Sequence, residues 1–346
     1  MRFESTHGTT HLSSAPARRV RALAVVLVCC LAGAVAAGCQ VGRDSKLDHV
    51  SRIVGKRVTV VVTTDGGKEL VIKQSIPLKR GMTALDALQG VADVRLGPGG
   101  VIAQVNGLGG GALTALGPER AGWFYRVNGV ESDKEPSRFR LAPGASLWWD
   151  LRRYDIYQRL PVAIGVFPEP LFSGYRENTR PLRIAYGTKF EKDAESISDA
   201  LFEKLKPEID PLEDEGGFGS SEGAPIPNVA VRKDRANLVI ARWEEARLDP
   251  YIADIGFDPR GFGLTVWIEN NDIRRQNPDE EFPSELDTAE GIVWASTIDG
   301  EPDGALVVLV TGITDEGVRA AARALRSGGF EYYLAGAVTR EGKVLP

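Results

Sequence analysis

Histidine and cysteine are nearly absent from this chain of 346 residues, which has three of each. All six lie before Ser51, so the stretch from Lys56 to Pro346 contains neither residue type. This excludes from that stretch a Ser-His-Asp or Cys-His catalytic site and a His/Cys zinc site. Axial ligation of haem or of a corrin cobalt by histidine is excluded there as well. Carboxylate-only catalysis, as in glycosidases, remains open.

Long basic runs are also lacking. The formal net charge is −5 and the pI is about 5.5. Lysine and arginine are dispersed, with no run long enough to follow a phosphate backbone, so the sequence predicts no nucleic-acid partner.

The N-terminal segment has the pattern of a processed leader. Arg18, Arg19 and Arg21 precede an uncharged, largely apolar run, Ala22–Gly38. The sequence "AAGC", Ala36–Cys39, resembles the lipobox of bacterial lipoproteins, in which the Cys takes the lipid and becomes the new N-terminus. Ala36 stands where the lipobox usually has Leu.

We therefore predict a signal peptide over residues 1–38, lipidation of Cys39 and a lipid-attached tether over residues 39–55. The protein is then extracytoplasmic, anchored in the membrane at the cell surface. A signal peptide cut without lipidation and an uncleaved anchor helix remain as alternatives; the anchor is disfavoured because the apolar run falls short of the ~20 residues that span a bilayer. Lipidation of Cys39 would leave no free thiol in the exported part, as suits an oxidising exterior.

The region 56–155 alternates strand signals with one helix. Asp65 to Gly67, "DGG", lie between two β-rich runs and predict a hairpin. In "GMTALDALQGV", Thr83 is the expected N-cap and Gly90 the expected end of a short helix. Further strands are predicted around residues 101–105, in "WFYRVNGV" and in "ASLWWDLRR", with Asn128-Gly129 as a type I′ turn.

These segments together resemble the transcobalamin-like C-terminal domain family. The residues that match its motif are Trp123, Tyr125, Val127, Asn128 and Gly129, with Gly144 and Trp148 in the closing turn and strand. The resemblance implies a ubiquitin-like β-grasp fold, related to soluble ligand-binding β-grasp domains. In vitamin B12 carriers this domain closes over one face of the corrin. It thus implies cobalamin or a related corrinoid as a candidate ligand.

The aromatic strands supply the predicted ligand-binding residues: Trp123, Tyr125, Asn128, Gly129, Trp148 and Trp149. No catalytic or metal-ligating residue is predicted. Strand alternation places Trp123 and Tyr125 on one face and Phe124 on the other, so at least one aromatic belongs to the core. A purely fold-determining role for the motif is the alternative. Trp148 and Trp149 point to opposite faces, and we expect one of them at the surface or under the second region.

In the region 160–346, predicted helices alternate with predicted strands. This pattern predicts an α/β domain with a parallel or mixed sheet. Its clearest helices are "DAESISDALFEKL", with apolar residues at four-residue spacing, and "TDEGVRAAARALRSG", capped by Thr314. The fold class is therefore α+β overall, a β-grasp module followed by an α/β domain. The segment "FPEPLFSGY", Phe167 to Tyr175, is expected to pack between the two regions or to form the lip of a cleft.

Three functions are compatible with this sequence. The first is a non-catalytic lipoprotein that binds a small molecule, corrinoid-like or otherwise flat, for uptake or sensing. The second is an envelope interaction or scaffold protein that pairs with a membrane partner such as an uptake transporter subunit. The third is a carboxylate-dependent hydrolase, for which Glu169, Asp254 or Asp272 are available. For the first, we expect Trp148→Ala or Trp123→Ala to abolish affinity while the fold survives.

Overall fold

The computed structural model covers the chain in six stretches: residues 57–109, 121–153, 162–205, 207–212, 230–276 and 282–345. The predicted signal peptide, the tether with Cys39 and the predicted domain boundary near residues 155–160 lie outside these described residues. Everything described falls into one compact unit. Within the described part, no helix is both long enough and apolar enough to cross a membrane.

The described residues of the first region form seven strands and one α-helix. They are β1 (Arg57–Thr64), β2 (Glu69–Pro77), α1 (Ala84–Gln89), β3 (Val94–Leu96), β4 (Ile102–Val105), β5 (Ala121–Val127), β6 (Val130–Glu131) and β7 (Ser146–Arg153). The predicted hairpin at Asp65 to Gly67 is confirmed, because β1 and β2 pair antiparallel around a 3-10 turn at these residues. The predicted helix is confirmed too, and Thr83 and Asp86 form its capping box.

Five of these strands form a sheet in the order β2-β1-β7-β5-β6. The central pair, β1 and β7, is parallel, and the other neighbouring pairs are antiparallel. Helix α1 lies against one face through Ala84, Ala87 and Leu88, which are fully buried. The other face carries polar and charged side chains as well as Trp148. Strands β3 and β4 form a separate two-stranded sheet.

The part of the second region that the structure describes contributes ten strands and four α-helices. They are β8 (Leu182–Gly187), α2 (Glu191–Leu205), β9 (Glu208–Leu212), β10 (Ala236–Ile240), α3 (Trp243–Ala246), α4 (Pro250–Phe257), β11 (Val266–Glu269), β12 (Asp272–Arg275), β13 (Ser284–Glu285), β14 (Ala289–Thr297), β15 (Leu306–Gly312), α5 (Asp315–Arg326), β16 (Gly336–Thr339) and β17 (Val344–Leu345).

Seven of these strands form a mixed sheet in the order β17-β16-β14-β15-β10-β8-β9. Strands β9, β8, β10 and β15 run parallel, whereas β14 is antiparallel to both β15 and β16. Helices α2 and α5 pack on one face, and α3, α4 and the small sheet β11-β12-β13 pack on the other. The prediction of an α+β class with a mixed second sheet is confirmed.

The two sheets meet through the segment that follows the first one. Val162 forms a β-bridge with Val130, and the backbone N–H of Ile164 donates to the Leu334 carbonyl at 3.2 Å. Lys73 on β2 forms an ion pair with Glu331 at 2.9 Å. One apolar core runs from the inner face of the first sheet to the α2 and α5 face of the second. The contacts between the two regions therefore involve backbone, charged and apolar groups alike.

Candidate functional site

Tyr125 and Trp149 lie on the face of the first sheet that packs against α1. Their rings stack with centroids 4.8 Å apart, and Trp149 is 1% exposed. The Tyr125 hydroxyl donates to the Lys134 carbonyl at 2.6 Å and lies 2.7 Å from the Ser132 Oγ. Burial raises the pKa of Tyr125 well above its ordinary value. Both aromatic side chains are therefore core residues in this structure.

Trp148 lies on the opposite face and is covered by the second region. It packs with Ala163 and Leu334 and makes an edge contact with the ring of Tyr332, at 6.1 Å between centroids. Its Nε1–H donates to the Thr63 Oγ1 at 2.8 Å, and no part of the residue is exposed. Of the adjacent tryptophans, Trp148 is thus the one under the second region, and neither is at the surface.

Asn128 and Gly129 form the tight turn between β5 and β6, with φ angles of 52° and 83°. The Asn128 side chain accepts from the Ser146 N–H at 3.0 Å and donates to the Gly174 carbonyl at 3.3 Å. The Gly129 carbonyl accepts from the Ala163 N–H at 2.8 Å. The turn therefore fixes β7 on one side and the segment entering the second region on the other.

Trp123 is the one predicted aromatic with a partly exposed side chain in this structure. It packs against the core, and a Cβ on Gly109 would lie 2.9 Å from its Nε1. That Nε1 is buried and has no hydrogen-bond partner. The predicted site residues thus divide between two sheet faces and a turn instead of forming one open aromatic face. Their role in ligand binding stays a prediction.

A shallow groove that encloses about 30 Å³ opens where the two regions meet. One wall is Val130 of the first sheet together with the segment between residues 170 and 180. The other wall comes from Ala236 and from the β14–β15 connection between residues 297 and 306. The predicted cleft lip, "FPEPLFSGY", contributes Pro170, Leu171, Gly174 and Tyr175 to the lining.

Two polar side chains of the groove, Arg180 and Thr297, differ in their hydrogen bonding. Arg180 connects the walls, because its guanidinium donates to the carbonyls of Gly304 and Asp303 at 2.9 and 2.8 Å. The Thr297 Oγ1, in contrast, is buried and has no hydrogen-bond partner. A ligand that offers a hydrogen-bonding group beside Thr297 would satisfy this hydroxyl.

Tyr175 at the other end of the groove belongs to a hydrogen-bonded group. Its hydroxyl donates to Asp133 at 2.5 Å and lies 3.2 Å from the Ser132 Oγ. Burial, and next the bond to Asp133, raises the pKa of Tyr175 to about 12. The same bond lowers the pKa of Asp133. At neutral pH the tyrosine is therefore a neutral donor and the aspartate a charged acceptor.

The acidic side chains form no evident metal-binding group in the described part of the chain. Within the described residues, no group of three or more His, Cys, Asp or Glu is placed to hold a metal ion. The Glu169 carboxylate accepts from the backbone N–H and the hydroxyl of Ser173, at 3.0 and 2.7 Å. Asp254 lies in α4 and Asp272 begins β12, where its carboxylate contacts Arg274 at 3.4 Å.

Sequence reasoning missed Arg180 and Thr297, because neither belongs to a local motif. Tyr175 was included in the predicted lip segment, and its aromatic and proline neighbours were the available signal. Comparison of the chain with family models, with curated proteins and with solved structures finds no match.

Proposed function

We propose that this protein is a non-catalytic, lipid-anchored extracytoplasmic protein that binds a small molecule in the groove between its two sheets. The observation that carries the proposal is the groove itself, lined from both regions and containing the unpartnered Thr297 hydroxyl. Ligand sites occur preferentially at such junctions, with a few polar groups in a mostly apolar lining. The absence of His and Cys after Lys56 agrees with binding without catalysis.

The strand order supports the resemblance on which this function partly rests. The first and last described strands of the region, β1 and β7, pair in parallel at the centre of the sheet, and helix α1 packs on one face. We infer that this is a β-grasp module. The module would carry a ligand site at its junction with the second region, since its own aromatic residues are largely buried.

The groove is shallow. It encloses about 30 Å³, which is room for about one water molecule and far below the roughly 300–1,000 Å³ typical of ligand pockets, so only a small group of a ligand could be buried in it. A corrinoid is too large to enter it whole. Cobalamin and related corrinoids, which the family resemblance implies, therefore remain candidates only for a site that lies elsewhere or is partly open.

The experiment that tests this proposal blocks the groove with a bulky side chain. Thr179 lines it and is exposed, so Thr179→Trp places a large side chain in the opening without disturbing the core. Gln74→Trp, on the exposed β2 strand, is the matched control. Full-length protein in detergent is screened by ligand-observed NMR against small fragment molecules, and by calorimetry against cyanocobalamin and cobinamide.

We expect fragments that bind the wild type and Gln74→Trp to be lost from Thr179→Trp. Equal binding by Thr179→Trp, or no fragment bound by the wild type, contradicts the groove as the ligand site. Saturable binding of a corrinoid by both variants would locate a second site outside the groove.

A second candidate function, pairing with a membrane partner, is favoured by β2. This nine-residue strand forms one edge of the first sheet, and Leu70 is 49% exposed on it. Edge strands accept partner strands through their free backbone groups. A photo-crosslinking amino acid at Leu70 should capture a transporter subunit in intact membranes, whereas one at Leu96, which is 41% exposed, should not. Equal or absent capture at both positions rejects this candidate.

A further inference from the structure

A buried cluster of charged side chains occupies the face of the first sheet opposite α1. It consists of Arg126 on β5, Glu131 on β6, and Asp150 and Arg152 on β7. The side chains of Arg126 and Arg152 are 0% and 2% exposed, that of Glu131 is 15% exposed, and Asp150 is fully buried. Charged groups are rarely this buried unless they are fully paired.

The two carboxylates of the cluster are already engaged. The same Glu131 oxygen, Oε2, accepts from the Nη2 of Arg126 at 3.0 Å and from the Nη2 of Arg152 at 2.9 Å. The Asp150 oxygens accept from the Thr63 hydroxyl at 2.6 Å and from the Gly66 N–H at 3.1 Å. The guanidinium groups therefore share one carboxylate oxygen and lie side by side.

The arginines have donors left over. Arg126 Nε, Arg126 Nη1 and Arg152 Nη1 are buried and have no hydrogen-bond partner. Their flat faces are covered instead, since Arg126 lies 5.3 Å from the ring centroid of Trp148 and Arg152 lies 4.1 Å from that of Phe124. An aromatic ring contacts the flat face of a guanidinium group. It offers no hydrogen-bond acceptor to the N–H groups, which point outward in the plane of the guanidinium.

The pKa of Arg126 reflects its burial next to a second arginine. Burial, and next the charge of Arg152, lowers the pKa of Arg126 to about 10. Arg126 is still charged at neutral pH. Arg152 is the largest single charge effect on the pKa of Arg126, and the two carboxylates, Glu131 and Asp150, oppose it.

We propose that the Arg126–Arg152 pair binds a small oxyanion such as phosphate, sulfate or a carboxylate. An oxyanion supplies several acceptor oxygens for the three unpaired donors, and arginine is the residue best suited to such groups. The site lies on the sheet face opposite the α1 core and shares no residue with the groove lining. The proposal therefore does not depend on the groove being a ligand site.

The test is equilibrium dialysis of the full-length chain in detergent against radiolabelled inorganic phosphate, at constant ionic strength. Arg152→Met keeps the length of the side chain but removes its charge and donors. Arg138→Met is the matched control, because the Arg138 side chain is 77% exposed. Unlabelled sulfate and acetate, added separately as competitors, distinguish the classes of anion.

We expect saturable binding of one phosphate per chain in the wild type and in Arg138→Met, and binding at least tenfold weaker in Arg152→Met. Circular dichroism establishes whether Arg152→Met is folded. If it is not, Arg152→Lys, which keeps the charge but not the planar fork, takes its place and should also weaken binding. Undiminished phosphate binding by the folded variant overturns the proposal. So does a wild type that takes up neither phosphate nor, in parallel dialysis with labelled sulfate and labelled acetate, either of these anions saturably; the cluster would then be a hydrated ion pair.

Discussion

Replacing Trp148 by alanine should destabilise the whole protein rather than remove a ligand contact. The side chain is fully buried between the first sheet and residues Ala163, Tyr332 and Leu334. A buried tryptophan removes roughly 200 Å² from water, which at about 25 cal/mol per Å² corresponds to ~5 kcal/mol. Measured substitutions of this kind cost about 3–5 kcal/mol. We therefore expect the free energy of unfolding to fall by about 3–5 kcal/mol.

Two further variants separate the contributions of packing and hydrogen bonding. Trp148→Phe keeps much of the packing but removes the Nε1–H that donates to Thr63, which should cost roughly 1–2 kcal/mol. Trp123→Ala should cost about 2 kcal/mol, because that side chain is only partly buried. Urea unfolding of the full-length chain, followed by circular dichroism, measures all three.

A loss below about 1 kcal/mol in Trp148→Ala would refute the packing described here, since no fully buried tryptophan is removed at so small a cost. The expected size of the effect also bears on ligand studies. The sequence predicts that Trp148→Ala abolishes affinity while the fold survives, but the burial of Trp148 makes any loss of affinity inseparable from loss of the fold. The groove variant Thr179→Trp avoids this difficulty.

Two more predictions concern the segment that connects the sheets. Gly129→Ala should lower the free energy of unfolding by roughly 2–4 kcal/mol, because φ is 83° and the new Cβ would lie 2.8 Å from the Cγ2 of Val166. Gly144 has the same φ but open space around it, so Gly144→Ala should cost only about 1–2 kcal/mol. If urea unfolding shows the same loss of stability for both variants, the contact between residue 129 and Val166 is not what makes Gly129→Ala costly. The raised pKa of Tyr175 contributes stability that is fully present below pH 10, its ordinary pKa, and is lost as the pH rises towards about 12. Between pH 10 and pH 12 the free energy of unfolding of Tyr175→Phe should therefore fall less steeply than that of the wild type. The same slope against pH in both proteins would reject this prediction.

The elements with strong local signals were predictable from the sequence. The capping residues Thr83 and Thr314 begin α1 and α5 as expected, and the hairpin and the Asn128-Gly129 turn follow from residues that tolerate positive φ. Alternation along β5 correctly placed Tyr125 and Phe124 on opposite faces, but it did not tell which face is the core. These features are local, because capping, turn geometry and side-chain direction depend on neighbours within a few positions.

Several short elements of the second region, among them α4, β13 and β17, were missed. Helix α4 did carry a signal, since the side chain of Asp249 accepts from the N–H groups of Tyr251 and Ile252 and Pro250 occupies the first helical position. Strands β13 and β17 span two residues each, too few to show a periodicity. Their pairing depends on partners that only the folded chain brings together.

The candidate site as a whole could not be predicted from the sequence, for a related reason. Its lining joins Val130, the segment between residues 170 and 180, and the β14–β15 connection, which are far apart along the chain. Likewise, Trp148 and Trp149 are equivalent in the sequence. Ala163 and Leu334, which cover Trp148, lie 15 and 186 positions after it in the sequence.

The charged face of the first sheet bears on the choice between a binding protein and a scaffold. A sheet that only displays a surface has no need to bury Arg126 and Arg152, and replacing a buried ion pair by apolar residues is often neutral or stabilising. Retaining two desolvated guanidinium groups against aromatic rings is therefore costly unless something uses their free donors. An envelope scaffold explains the exposed β2 edge but not this cluster. A binding protein accounts for both the cluster and the groove, because each presents buried polar groups that a ligand would satisfy.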